Sequence, residues 1–236
     1  KTFIMITGGY KDHQRTSLLK LKETYKLRFL GPNTIMGVVN TANVLNTTFE
    51  IDLMPERGNI AVISQSGGVG ACLLDWACYF NEGISKFVFV GDKTDVDDVD
   101  LLRYLGKDRQ TKVICLYMEG VKNGRKFIDV ARKIVPRKPI LILKGGITRE
   151  SAQRAKSHTS SIAGSDEVFN AALKKAGTIR VENIEELMDN AIALSKQPPM
   201  SGDRVAIVSN VGGPAILAAD AVERHGLKLA NLTLNT

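Results

Sequence analysis

From Asn59 to Lys196 the chain repeats one pattern: an apolar run, a turn of small or acidic residues, then apolar residues at helical spacing. The runs fall at Ile60–Ser64, Lys86–Val90, Lys112–Met118 and Pro139–Lys144, with helices starting near Gly67, Asp97, Asn123 and Ser165. A last run, Thr178–Val181, leads into a helix from Ile184 to about Lys196. Near-continuous apolar strands are buried on both faces, and parallel strands need a crossover that a helix supplies. The pattern predicts an α/β fold whose parallel sheet is covered on both sides.

The flanking segments read differently. Thr2–Thr7 is a strand turned by Gly8-Gly9, Ser17–Tyr25 a helix with Leu18, Leu19 and Leu21 on its apolar side, and Arg28–Leu30 a short strand ended by Gly31-Pro32-Asn33. Two strands and a helix do not make a core by themselves, so the chain is expected to be a fragment of a longer protein. Pro198-Pro199-Met200-Ser201-Gly202 reads as a linker. Beyond it, Arg204–Gly213 echoes Asn59–Gly68 at a constant offset of 145 residues. That echo predicts an internal duplication, with the second copy represented by its first strand and helix.

Composition narrows the function. A net charge of +7 comes from dispersed Lys and Arg, and aromatics make up only 6% without basic–aromatic interleaving, so nucleic-acid binding is not expected. Anionic small molecules account for the charge equally well. No apolar run reaches the roughly 20 residues that span a bilayer, so no membrane association is expected. Cys72, Cys78 and Cys115 fall within expected helices or strands and form no C-x-x-C pair. Reduced core thiols in a cytoplasmic protein are the expectation.

Four stretches could carry chemistry. Ser64-Gln65-Ser66-Gly67-Gly68-Val69-Gly70 follows a strand and opens a helix, where free N–H groups and the helix dipole favour an anion. It matches neither a dinucleotide fingerprint nor a Walker loop, and a tight structural turn is the plain alternative. Glu119 closes the apolar run Leu116-Tyr117-Met118; it is either a working carboxylate or a capping, solvent-facing acid. His158 lies among Ser and Thr in Lys156–Ser165, after the strand Pro139–Lys144, where α/β folds gather ligands. A surface histidine is the alternative there. Both follow strands of one sheet, so a carboxylate beside an imidazole can fix its tautomer. Asp92, Asp95, Asp97, Asp98 and Asp100 cluster without EF-hand spacing; helix N-terminal acids are preferred to a metal site. His13 and His225 are expected at the surface.

In order, Gly31-Pro32-Asn33, Ser64-Gln65-Ser66-Gly67-Gly68, Tyr117-Met118-Glu119-Gly120 and Ser157-His158-Thr159 through Ala163-Gly164-Ser165 make the chain resemble the α subunit, or α-like region, of ADP-forming acetyl-CoA synthetases (NDP-forming acyl-CoA synthetases). These are relatives of succinyl-CoA synthetase. The resemblance implies the end of a CoA-binding Rossmann-like domain over 1–58 and a succinyl-CoA-synthetase-like flavodoxin-type domain over 59–197. It implies a linker and the start of a second such domain over 198–236. It implies an acid–thiol ligase that interconverts acyl-CoA, ADP and phosphate with acid, CoA and ATP. His158 would carry the phosphoryl group from an acyl phosphate to ADP, Glu119 would orient it, and Ser66, Gly67 and Gly68 would hold the phosphate. Asn33 would stand at the edge of the CoA site. CoA would be a cofactor; ATP or ADP with Mg²⁺ would bind an ATP-grasp (β) subunit or domain outside this chain, and an oligomer is implied. Two departures are Ser160, where the family has glycine, and Thr34, where it has cysteine. The alternatives are a succinyl-CoA synthetase or ATP-citrate-lyase-type subunit, and a non-catalytic acyl-CoA-sensing module.

Overall fold

The computed structural model describes residues 1–50, 52–148, 150–151, 165–198 and 200–232. They fall into two compact units, Lys1–Lys196 and Gln197–Thr236. In the first, β5 (Arg57–Ser64), β6 (Ile84–Phe89), β7 (Val113–Met118), β8 (Ile140–Lys144) and β9 (Ile179–Val181) run parallel in one sheet. The helices between and after them are α2 (Gly67–Tyr79), α3 (Asp98–Lys107), α4 (Gly124–Ile134), α5 (Asp166–Ala176) and α6 (Ile184–Lys196).

Three of the expected helix starts are caps, and at the fourth the cap is Ser66, just before Gly67. Oγ of Ser66 accepts from the amide of Val69, Asp97 from those of Val99 and Asp100, Asn123 from that of Lys126, and Ser165 from that of Val168. Each short polar side chain replaces a carbonyl that the first helical turn lacks.

With β3 (Val38–Asn40) and β4 (Leu45–Asn46) at one edge, the sheet order is β4-β3-β6-β5-β7-β8-β9, so its parallel part runs second, first, third, fourth, fifth. These two edge strands escape the sequence pattern: they join antiparallel, with Val38 opposite Val88. At two and three residues they are too short to show a period. The sheet buries both faces. Leu73, Leu74 and Ala77 of α2 and Leu187, Met188 and Ala191 of α6 cover one. Leu102 and Leu105 of α3, Phe127 and Ala131 of α4 and Leu173 of α5 cover the other.

Before this sheet, β1 (Thr2–Ile4) and β2 (Arg28–Leu30) pair parallel around α1 (Asp12–Tyr25), which buries no residue. The helix begins five residues before the expected Ser17. Of the three cysteines expected in cores only Cys115 is buried; Cys78 is half-buried and Cys72 lies on the exposed side of α2.

The second unit has β10 (Arg204–Val205), α7 (Gly212–Arg224) and β11 (Lys228–Leu229), the strands parallel. Its local geometry repeats that of β5–α2–β6. Val205 opposite Leu229 corresponds, at the same offset, to Ile60 opposite Ile84. Ser209 bonds both polar groups of Val211, as Ser64 does those of Ser66. His225 N–H donates to Ala221 and Glu223 where Phe80 N–H donates to Trp76 and Cys78. The left-handed turn that follows is Asn81 (φ 53°) in one and Gly226 (φ 71°) in the other.

Candidate active site

In an open parallel sheet a crevice forms where neighbouring strands send their helices to opposite faces. Here that place is between β5 and β7, since α2 and α4 lie on opposite faces. The residues leaving those two strands are Gln65-Ser66-Gly67-Gly68 and Glu119-Gly120.

Ser64 Oγ donates to the Ser66 carbonyl at 2.6 Å and accepts from the Ser66 amide at 3.3 Å, which fixes the turn into α2. The helix then starts with two bare residues. A Cβ added at Gly68 would meet nothing within 4 Å, and one at Gly67 would make only ordinary contacts, at 3.5 Å, with Met36 and Phe89. Neither has positive φ. Packing therefore does not demand glycine at 67 or 68, and the amides of this helix start are left uncovered by any side chain of their own.

Glu119 is half-buried, and Tyr117 Oη donates to its Oε1 at 3.4 Å. Burial, then the charge of Glu119 and this hydrogen bond, push the Tyr117 hydroxyl up to about 12, so it remains a donor. The Glu119 backbone is held by Gln65, whose Oε1 accepts from the amides of Glu119 at 2.8 Å and Gly120 at 3.2 Å. Lys93 Nζ donates to the Gly120 carbonyl at 2.7 Å and pairs with Asp98 at 2.8 Å, both side chains 3% exposed.

Beside the ends of β7 and β8 lies a cavity of about 210 Å³ whose lining includes Glu119, Lys144, Ser165, Phe127 and Phe169. Lys144 is buried; Nζ donates to the carbonyls of Gly145 and Gly146 and stands 5.2 Å from the Phe169 ring centroid. Burial lowers its pKa, against the pull of Asp166 and Glu119. Arg180 grips both oxygens of Asp166, at 2.9 and 3.0 Å, and anchors the start of α5.

The sequence sets Ser66, Gly67 and Gly68 after one strand and Glu119 after another without saying that the two are neighbours; the structure pairs those strands, β5 and β7, and links their ends through Gln65. His158 lies outside the described residues, as do all of 152–164; β8 ends before them and Ser165 caps α5 after them. Asn33 is exposed, with φ 63°, and its side-chain amide donates to Asp92 at 3.4 Å. Gln65, Tyr117 and Lys144 had no assigned role. The signal for two of them was legible: a long amide and a cation each directly ending a buried apolar run.

The acidic cluster divides into partners. Asp92 pairs with Arg15, Asp95 with Lys22 and Arg28, Asp98 with Lys93, and Asp97 caps α3. Among the described residues no group of His, Cys, Asp and Glu could hold a metal ion, and no helix is long and apolar enough to cross a membrane.

A doubly wound sheet with an amide-lined turn and a carboxylate at its switch point defines an α/β domain of flavodoxin type. The chain belongs to the succinyl-CoA ligase like flavodoxin domain family, which it matches over residues 57–194. It is 40% identical, over its whole length, to the acetate–CoA ligase (ADP-forming) II subunit alpha of Pyrococcus furiosus, covering 52% of that protein. It is 46% identical, over 94% of its length, to the corresponding ligase I subunit alpha of that organism, covering 47% of it. A dinucleotide-forming acetyl-coenzyme A synthetase 1 from Ca. Korarchaeum cryptofilum, solved with phosphate and ADP, superposes with a TM-score of 0.92 at 38% identity. That match covers 99% of this chain and 51% of the other. The chain thus spans about half the length of these relatives.

Proposed function

We propose that this chain is the α-like part of an NDP-forming acyl-CoA synthetase, interconverting acyl-CoA, ADP and phosphate with acid, CoA and ATP. The observation that carries the reading is the meeting of the Ser66–Gly68 helix start with Glu119 at the switch point, bridged by Gln65. The names of the relatives support the same reaction.

In the direction of acid formation, phosphate displaces CoA from the acyl-CoA to give an acyl phosphate. A nitrogen of His158 then attacks phosphorus; the N–P bond forms, the P–O bond to the acyl group breaks and the acid leaves. ADP takes the phosphoryl group, restoring the imidazole and releasing ATP. The amides of the α2 turn would hold the phosphoryl oxygens, and Ser66, Gly67 and Gly68 would let them approach. Glu119 would accept a hydrogen bond from one ring nitrogen and leave the other free to attack. CoA supplies the thiol, and Asn33 would border its site. ATP or ADP with Mg²⁺ would bind an ATP-grasp subunit or domain. On this reading residues 1–58 end a CoA-binding domain, 59–197 carry the phosphohistidine loop, and 198–236 lead into the second, duplicated domain.

The test uses the full-length protein with its nucleotide-binding part and γ-labelled ATP. The protein is expected to take acid-labile, base-stable label that maps to His158 and is lost in His158→Ala. Label that survives in that variant contradicts the reading.

A further inference from the structure

Strands β5 and β7 pair residue by residue as far as Ser64 and Tyr117, and the Gln65 amide adds one more rung by donating to the Tyr117 carbonyl at 3.0 Å. There β5 ends, because the backbone turns into α2. Glu119 and Gly120 continue beyond it, with two amides that have lost their strand partner. Gln65 supplies that partner from its side chain: Oε1 takes the Glu119 amide at 2.8 Å and the Gly120 amide at 3.2 Å. The residue is only 4% exposed, so water does not substitute for it. Both neighbours are N–H donors, which fixes the amide orientation: oxygen toward Glu119–Gly120, nitrogen turned away. From the other side, buried Lys93 holds the Gly120 carbonyl.

We propose that Gln65 is the positioning residue for Glu119: it carries the carboxylate's backbone on the same turn that presents the α2 amides, so that the two move as one unit. This rests on the reading of Glu119 as the partner of a phosphoryl carrier. A rigid link of this kind suits phosphoryl transfer, where a base misplaced by about 1 Å costs on the order of 10²-fold in rate. The backbone ladder alone ends one residue short of providing it.

Gln65→Met keeps the length and burial of the side chain and removes the acceptor; Gln65→Asn keeps the amide and withdraws it by one methylene. Each is made in full-length protein carrying its nucleotide-binding part, alone and combined with Glu119→Gln. Three quantities are read: the single-turnover rate of label transfer from ATP, the KM for ATP, and hydrogen exchange at the Glu119 and Gly120 amides. Either Gln65 variant should expose those two amides and slow labelling about tenfold or more, with the KM for ATP within about twofold of wild type. In the Glu119→Gln background the Gln65 substitution should slow labelling no further, because there is no carboxylate left to position. Losses that multiply, or wild-type labelling with the amides exposed, overturn the role assigned to Gln65. Protected amides in both variants overturn the link itself. Wild-type protein that takes no label overturns the underlying phosphohistidine reading, and the role with it.

Discussion

Gly68 and Gly70 are two residues apart in α2 and answer to different constraints. A Cβ at Gly70 would lie 2.7 Å from Phe87 Cζ, against a ring that is fully buried, whereas one at Gly68 meets nothing within 4 Å. Gly70→Ala should therefore cost about 1–3 kcal/mol through overpacking. Gly68→Ala should leave the melting temperature unchanged or raise it, since alanine favours a helix by up to about 1 kcal/mol over glycine. Labelling should show the reverse order: Gly68→Ala slowed by the methyl group among the amides, Gly70→Ala near normal in folded protein. Melting curves and labelling rates on the same preparations check both halves. Equal labelling by wild type and Gly68→Ala would leave that glycine without a phosphate to accommodate. The sequence singled out Gly68 and gave Gly70 no role, because only the packing of Phe87 shows that Gly70 must be bare.

At the scale of elements, the helix starts were legible in the sequence and the short edge strands were not. Ser66, Asp97, Asn123 and Ser165 each stand where a polar residue meets a helical period, and all four cap. The second unit, whose local geometry matches, shows what the cap depends on. Ser66 bonds the amide of Val69, whose counterpart is Pro214, a residue with no N–H; there the cap position is Val211 and no side chain caps. Ser66→Ala should accordingly cost about 1 kcal/mol, as a lost N-cap does, and slow labelling less than Gly67→Val, which places a β-branched side chain at the helix start. Denaturant titration and labelling together check this. A Ser66→Ala variant slower than Gly67→Val would mean that the hydroxyl, not the backbone, holds the phosphate. By contrast, β3 joins the sheet through β6 and β4 through β3, and no window of two or three residues carries that information.

Across the whole first unit, the N-terminal segment is fastened by ion pairs and backbone hydrogen bonds as well as by apolar contact, which is why its placement could not be read from hydrophobic pattern. Phe29 and Leu30 are buried, but α1 buries nothing, and Asp95 draws in Lys22, Arg28 and the Phe29 amide. Burial works to raise the Asp95 pKa, but the hydrogen bonds from Lys22, Phe29 and Arg28, with the charge of Arg28, outweigh it and hold the carboxyl below its usual range. A depressed folded-state value gives stability that is full above the unfolded pKa, about 3.9 for aspartate, and lost as pH falls through the folded value. Melting temperature should thus drop on acidification below about pH 4, and drop less steeply in Asp95→Asn, which is already weaker at neutral pH. Parallel slopes would show that Asp95 does not couple to folding. The site itself depends on one pairing of whole elements, the ends of β5 and β7, and Glu119 is the residue that pairing delivers. The direct measurement is the single-turnover rate at which Glu119→Gln takes label from ATP in the full-length protein. The account predicts a fall of about 10²–10⁴-fold with melting little changed, because the amide keeps the volume and loses the charge that steadies the ring. Labelling at the wild-type rate would contradict it and leave Glu119 a capping acid.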